Sequence, residues 1–313
     1  MRTPANHTLM HASESWSPWQ ELPFLPPLPE CTVFELLDGG QAFRWQRRPD
    51  GVWLGVWGDS VAQLRLAPNG RLQWRAPARM VRSVEGALRV YLAGDTDFTG
   101  LTDALPWRSD GLLAQSLERF RGLRLLRQPF GETLLGFLCS ATKQIVQIKQ
   151  MMALLAARHG APLAHLPAEA NTPAQVVHRL PTWLELATVP EKVLRECLLG
   201  FRAKYIHATA LFLAENPGWL DATEAAPYIE AKARLRTLPG VGEKVADCVL
   251  LFGAGRMESF PVDVWILKTL ATRYGLVGWK PAQVAQFGRA HFGAAAGLAQ
   301  QFLFAHERAL ARR

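Results

Sequence analysis

The chain has 313 residues, of which 49% are apolar and 20% charged, and Lys+Arg outnumber Asp+Glu by 35 to 27 for a net charge of +8. That much apolar sequence suits about two folded domains and excludes a disordered tail protein. The basic excess favours an anionic partner such as nucleic acid, although a well-solvated basic surface would carry the same charge.

From Trp16 to Glu30 the run WSPWQELPFLPPLPE carries five prolines, which cannot propagate a helix and are tolerated only at the edges of a sheet. Residues 1–30 therefore read as an extended lead-in. Between Thr32 and Arg75 the apolar period is close to two. Leu64 and Leu66 alternate with Gln63 and Arg65, Leu72 and Trp74 alternate with Arg71, Gln73 and Arg75, and Pro68-Asn69-Gly70 supplies the turn between them. The pattern predicts a small antiparallel sheet with one buried face and Trp45, Trp53, Trp57 and Trp74 in its core. After about Arg79 the period becomes helical, over Val81 to Tyr91 and again over Leu112 to Phe120. Prolines from Pro129 to Pro281 then cut the remainder into helix-sized pieces. The expectation is an α+β chain with the lead-in over 1–30, an antiparallel β domain with flanking helices over 31–125 and a mostly helical domain over 126–313.

Cys31, Cys139, Cys197 and Cys248 contain no C-x-x-C pair, so neither a zinc site nor an iron-sulfur cluster is expected. They read as reduced, mostly buried thiols of an intracellular protein. Neither a signal-peptide pattern nor a membrane span is visible. All lysines fall at or after Lys143, which narrows the search for any chemistry that needs a primary amine.

The most informative segment is YIEAKARLRTLPGVGEKVADCVLLF, Tyr228 to Phe252, which reads as helix, tight turn, helix. Gly240 and Gly242 bracket Val241, so the backbone can take dihedrals closed to other residues while Val241 plugs the gap between the helices. The unpaired amides that open the second helix make a natural seat for a backbone phosphate. Many helix pairs use such a turn without binding anything. Lys244 follows in the first turn of the second helix, where the dipole disfavours an added positive charge. A lysine there is either a point-charge contact to phosphate or an amine favoured in its neutral, nucleophilic form. Asp263, in Phe260-Pro261-Val262-Asp263-Val264-Trp265, reads as the N-cap of a helix from Val264 to Tyr274. The stretch between them is long enough to bring its carboxylate back beside the amine, where it could stabilise a sugar cation as a base departs.

LPGVGEKVADC followed by PVDVW resembles the helix-hairpin-helix DNA glycosylases, in the version that carries both lysine and aspartate. Four further stretches resemble 8-oxoguanine DNA glycosylase: GGQAFRW from Gly39, LRLLRQPF with FLCSA between Leu123 and Ala141, LGFRAKYI from Leu199, and GLAQQFLF up to Phe304. They run through most of the chain in the family's order. The resemblance implies a TBP-like antiparallel sheet domain followed by the helical domain, with double-stranded DNA containing 8-oxoguanine as partner. A nucleotide is flipped out of the duplex because its glycosidic carbon is unreachable in the stack. It further implies that Lys244 attacks that carbon and forms a Schiff base that breaks the strand by β-elimination, with Asp263 assisting departure of the base. Gly40 matches the base-reading glycine. Its carbonyl would accept the hydrogen that 8-oxoguanine carries on N7, where guanine has only a lone pair. Cys248 and Phe304 match residues that sandwich the flipped ring, and Gln300 one that bonds its pairing edge.

By the same resemblance Gly240, Val241 and Gly242 hold DNA, Phe201 is a wedge with the stacking face of the family's tyrosine, and Arg202 reads the orphaned base. Three departures stand out. Thr142-Lys143-Gln144 replaces an asparagine triplet, so Thr142 reaches less far into the vacated position. Gln147 replaces an arginine that reads the opposite base, and Trp265 replaces a histidine near a phosphate. No organic cofactor is expected. The resemblance admits a monovalent cation at the hairpin carbonyls of residues 239–242, and the protein is expected to act as a monomer. Two other readings stay open. One is a glycosylase for a different oxidised base, although the oxidised-pyrimidine enzymes typically bring four clustered C-terminal cysteines that this chain lacks. The other is a non-catalytic module that uses the hairpin only to hold phosphates.

Overall fold

A computed structural model describes residues 15–169 and 172–311. Residues 1–14 of the expected lead-in lie outside the described residues. The rest of the lead-in is extended and joins the sheet. Its strand β1 (Gln20–Glu21) pairs with β5, Gln20 opposite Trp74, and Leu22, Leu25 and Leu28 are buried in the sheet's core.

Helix α1 (Glu30–Asp38) leads into β2 (Trp45–Arg47), β3 (Trp53–Trp57), β4 (Ser60–Leu66) and β5 (Leu72–Arg75). The antiparallel sheet has the order β1-β5-β4-β3-β2. Leu64 faces Trp74 and Leu66 faces Leu72, the register that the alternation and the Pro68-Asn69-Gly70 turn require. All four expected tryptophans are buried. Trp45 stacks on Trp57 and donates its indole N–H to the Tyr91 hydroxyl at 3.0 Å, which satisfies the one polar atom that its burial would orphan. Tyr91 closes α2 (Val81–Tyr91), whose Val84 and Leu88 join the same core.

The expectation of one buried face needs correction, because β3 is buried along its whole length. A hairpin from the helical part, β6 (Pro162–Leu166) and β7 (Gln175–His178), covers the other face. Ala164, Leu166 and Val177 pack there against Leu54, Val56 and Val61. Glu169 near the hairpin's tip is paired with both Arg48 and Arg75 of the sheet region.

The remainder is helical: α3 (Phe98–Asp103), α4 (Gly111–Arg119), α5 (Phe130–Leu138), α6 (Ile145–His159), α7 (Trp183–Ala187), α8 (Glu191–Leu194) and α9 (Arg202–Glu215). Then follow α10 (Trp219–Ala225), α11 (Tyr228–Leu235), α12 (Glu243–Phe252), α13 (Val264–Arg273), α14 (Pro281–Phe292) and α15 (Ala296–Ala311). Prolines open several of them. Pro129 and Pro227 precede α5 and α11, and Pro281 is the first residue of α14, where a missing N–H costs nothing. Helix α12 is central. Every residue from Val245 to Phe252 is buried, against α5, α11 and neighbouring elements, so only its first turn meets solvent. No helix of the described residues is long and apolar enough to cross a membrane.

Sheet and helices are stitched together by polar groups as well as apolar ones. Arg44 donates to the carbonyls of Met152 at 3.3 Å and His178 at 2.6 Å. Glu132 of α5 accepts the Gly58 amide at 2.9 Å, and burial pushes its carboxyl up to about 7 against the pull of Arg44.

Candidate active site

The turn between α11 and α12 is held from both sides. Gly240 has φ +81°, and a Cβ there would lie 2.6 Å from the ring of Tyr205 on α9, so both backbone conformation and space demand glycine. Val241 is buried between the helices as expected. Gly242 departs from the expectation. Its φ of −91° and ψ of −175° are open to any residue, and nothing lies within 4 Å of the missing Cβ. What its bare backbone provides is an uncapped helix start: as N-cap of α12 it offers no side chain to the first amides, which stay available to an outside anion. Its carbonyl is spent on the Ala246 amide.

A buried polar network clamps the two helices behind this turn. Asp247 of α12, 1% exposed, accepts from the Tyr228 hydroxyl at 2.7 Å and from the Lys232 ammonium at 3.0 Å. Lys232 also meets Glu243 at 2.8 Å, and Glu243 in turn pairs with Arg236 at 2.8 Å. Burial works against the Lys232 charge, but Asp247 and Glu243 together hold it above the ordinary lysine range.

Lys244 projects from the exposed turn of α12. Its Nζ donates to Ser140 Oγ at 3.3 Å, and the Ser140 hydroxyl donates onward to the Phe137 carbonyl at 2.7 Å. The same nitrogen lies 5.3 Å from the Phe137 ring centroid. Lys244 forms no ion pair among the described residues. Ser140 escaped the sequence reading, since a serine just past a helix end looks like ordinary turn chemistry.

Asp263 caps α13, accepting the Ile266 amide at 2.8 Å. Burial pushes its carboxyl above the usual carboxylate range, opposed by the Ile266 amide, the Lys244 charge, the Trp265 amide and its own amide. Lys244 thus acts on Asp263 electrostatically, and no ion pair joins the two among the described residues. Cys248 lies one turn beyond Lys244. Burial pushes its thiol up to about 12, so it stays protonated at neutral pH.

The Gly39–Phe43 loop approaches from the sheet side. Gly40 has φ +93°, and a Cβ there would lie 3.2 Å from Ile145 and 3.8 Å from the Phe304 ring, so these three residues are brought together. The next residue locks the loop. Gln41 donates to the Arg124 carbonyl at 3.0 Å, accepts the Leu126 amide at 3.0 Å, and its own carbonyl receives the Gln128 side chain at 2.7 Å. Gln300 is only 3% exposed and accepts from Gln301 at 2.8 Å, so it is an interior amide.

Phe201 is 50% exposed and meets Tyr205 edge to face with ring centroids 5.9 Å apart. Arg202, which the resemblance makes a reader of the orphaned base, lies inside the protein in this structure. It is 2% exposed, and its two terminal nitrogens donate to the carbonyls of Leu199 and Ala141 and to Thr142 Oγ1 at 2.9 Å, while its Nε has no hydrogen-bond partner. Three acceptors hold it inside, and what it does is pin the Thr142 turn. Thr142 itself is exposed at φ +56°, an uncommon backbone for a β-branched residue. Gln147 accepts the Gln144 amide at 3.2 Å in a capping box at the start of α6. Trp265 is part of the surface beside Asp263. No group of three or more metal-ligating side chains occurs among the described residues.

Fold, hairpin and lysine-aspartate pair define a helix-hairpin-helix DNA glycosylase class of site. Residues 27–134 match the N-terminal domain of 8-oxoguanine DNA glycosylase. The chain is 31% identical over 291 residues to the N-glycosylase/DNA lyase OGG1 of Arabidopsis thaliana, covering 89% of this chain and 78% of the relative. It is 30% identical over 230 residues to a probable N-glycosylase/DNA lyase of Methanothermobacter thermautotrophicus, covering 66% of this chain and 70% of the relative. The Clostridium acetobutylicum 8-oxoguanine glycosylase/lyase, solved on duplex DNA with cytosine opposite 8-oxoguanine, superposes with a TM-score of 0.80. It is 26% identical, over 95% of this chain and 99% of that one. The chain belongs to the 8-oxoguanine DNA glycosylase family.

The bare N-cap makes a direct prediction. Gly242→Asp supplies the missing cap and puts a negative charge on the amides, so thermal unfolding should be unchanged or slightly higher. Affinity for duplex DNA, read by fluorescence anisotropy at fixed salt, should fall about tenfold, the worth of roughly one charge-assisted hydrogen bond.

Proposed function

We propose that this chain is a bifunctional glycosylase and lyase that removes 8-oxoguanine from duplex DNA and nicks the strand, working as a monomer. The observation that carries the reading is the Lys244 amine, free of ion pairs among the described residues and propped on Ser140 at the open end of α12, in electrostatic reach of Asp263.

In this reading a nucleotide leaves the stack and its sugar faces Lys244. The Nζ lone pair forms a bond to C1′ as the C1′–N9 electron pair leaves with the base. Positive charge grows on the sugar meanwhile, and the Asp263 carboxylate stabilises it. The C1′–O4′ bond then breaks, its electron pair and one nitrogen proton go to O4′, and the nitrogen lone pair closes the C1′=N bond of the Schiff base. Removal of a C2′ proton then expels the 3′ phosphate and breaks the strand. The Ser140 hydroxyl, accepting one amine hydrogen, sets where the lone pair points. Gly40 offers its carbonyl to the N7 hydrogen of the oxidised base, on a loop that Gln41 keeps from retreating. Cys248, Phe304 and Gln300 are the proposed walls and edge reader of the base pocket. Gly240, Val241, Gly242, Phe201 and Thr142 are the proposed DNA contacts, and Arg202 supports them from within.

Duplexes with a single 8-oxoguanine or a single thymine glycol test the substrate. Release of 8-oxoguanine with strand cleavage is expected, and release of the pyrimidine lesion alone would contradict the reading.

Asp263 acts as the carboxylate, so the single-turnover rate of base release should fall as pH drops through a pKa above the ordinary carboxyl value of about 4. Because the folded-state pKa is raised, protonation favours the fold, and the ionised form costs stability at neutral pH. Asp263→Asn keeps an N-cap oxygen without the charge. It should unfold at an equal or higher temperature at pH 7, slow base release about a hundredfold or more, and lose that acid limb.

A further inference from the structure

The turn between α8 and α9 contains a feature that the proposed chemistry does not use. Leu198 has φ +62° and is 52% exposed, while its neighbours Cys197 and Leu199 are fully buried. A leucine there costs free energy twice. The left-handed backbone crowds its Cβ, and its side chain stays in water although the core begins one residue away on either side. Strain of this kind persists only where the surroundings over-determine it, and it concentrates at functional sites.

The surroundings do over-determine it. Buried Arg202 donates to the Leu199 carbonyl at 3.2 Å from the end of this turn, and to Ala141 and Thr142 of the turn that follows Ser140. Positive-φ residues other than glycine among the described residues are Ala93, Thr142 and Leu198. Two of these three are therefore gathered around one guanidinium, whose partner Ala141 adjoins the serine that holds Lys244. Phe201, half exposed, closes the same turn and reaches toward Tyr205, against which Gly240 of the hairpin packs. The Leu198 turn is thus linked by direct contacts to the hairpin, through Phe201 and Tyr205, and to the turn that holds Lys244, through Arg202.

We propose that Leu198 is a second intercalating side chain, entering the base stack of the bound duplex beside Phe201 and keeping the extruded nucleotide from returning. The inference rests on the reading of this surface as a duplex-binding one. A bulky apolar side chain that unstacks a base step is well suited to holding a duplex open, and two from one rigid turn hold it better than one. The left-handed backbone is what keeps Leu198 out of the adjoining core.

The test separates the wedge from the fold and from the chemistry. Leu198→Gly and Leu198→Asn both suit a left-handed backbone and remove the apolar bulk, so both should unfold at or above the wild-type temperature. Each is made in wild type and in Lys244→Gln. In the Lys244→Gln background, 2-aminopurine placed next to 8-oxoguanine reports unstacking without requiring base release. Its fluorescence rise at saturating protein should fall at least fivefold on either substitution, while Leu198→Met retains most of it. In the wild-type background the single-turnover excision rate should fall in parallel. Wild-type unstacking by a Leu198→Gly or Leu198→Asn protein that melts normally overturns the inference. Failure of the parent chain to excise 8-oxoguanine would instead strike at the proposed function, and the 2-aminopurine signal would still decide the role of Leu198.

Discussion

Helix α12 has nowhere to move. It is buried from Val245 onward, and its flank is tied to α11 through the Asp247 contacts with Tyr228 and Lys232. A buried charge left without its partner is costly, commonly about 3–5 kcal/mol, so this clamp opposes any slippage that would separate the pair. The one turn of the helix that reaches solvent is consequently a fixed platform. On it stand the uncapped amides after Gly242 and, two residues on, the amine of Lys244. In its proposed role as nucleophile, Lys244 gains reach from a long flexible side chain at the expense of aim. Here the aim is restored by the Ser140 hydroxyl and the Phe137 ring, both from the α5 end of the core.

The sheet contributes to the site at a distance. Trp45 and its neighbours hold a core from which the Gly39–Phe43 loop emerges, and Gln41 ties that loop to the 124–128 segment leading into α5. The loop that presents Gly40 and the helix end that presents Ser140 are therefore anchored to one another through α5. Contacts of Arg44 and Glu132 across the same seam, together with the β6–β7 hairpin on the sheet's far face, resist their separation. If Gly40 reads the base as proposed, that stiffness is as important as the pocket's composition.

Much of this was legible in the residues. Alternation of period two marked Leu64, Leu66, Leu72 and Trp74 as one hairpin, and the change of period near Arg79 marked the passage to helices. LPGVGEKVADC announced both the hairpin and the lysine, and Asp263 announced its cap. These signals are local, written within one or two turns of chain. What stayed hidden depends on partners far away in sequence. The burial of Arg202 shows only through its contacts with Ala141 and Thr142, 61 and 60 residues distant. Ser140 needs Lys244, and Gln41 needs the 124–128 segment, to show any purpose. The β6–β7 hairpin is short, and nothing in its few residues says that it covers a sheet built from a far earlier stretch. Gly242 misleads in the opposite direction, because glycine suggests a special backbone where the structure uses only the missing side chain.

The central claim is that one amine, that of Lys244, bonds to the sugar. It is tested most directly by reducing the reacting complex with borohydride on an 8-oxoguanine duplex, digesting the cross-linked protein and sequencing the peptide that carries the sugar remnant. The remnant is expected on Lys244. A remnant on any other lysine or on the N-terminal amine, with Lys244 unmodified, would contradict it.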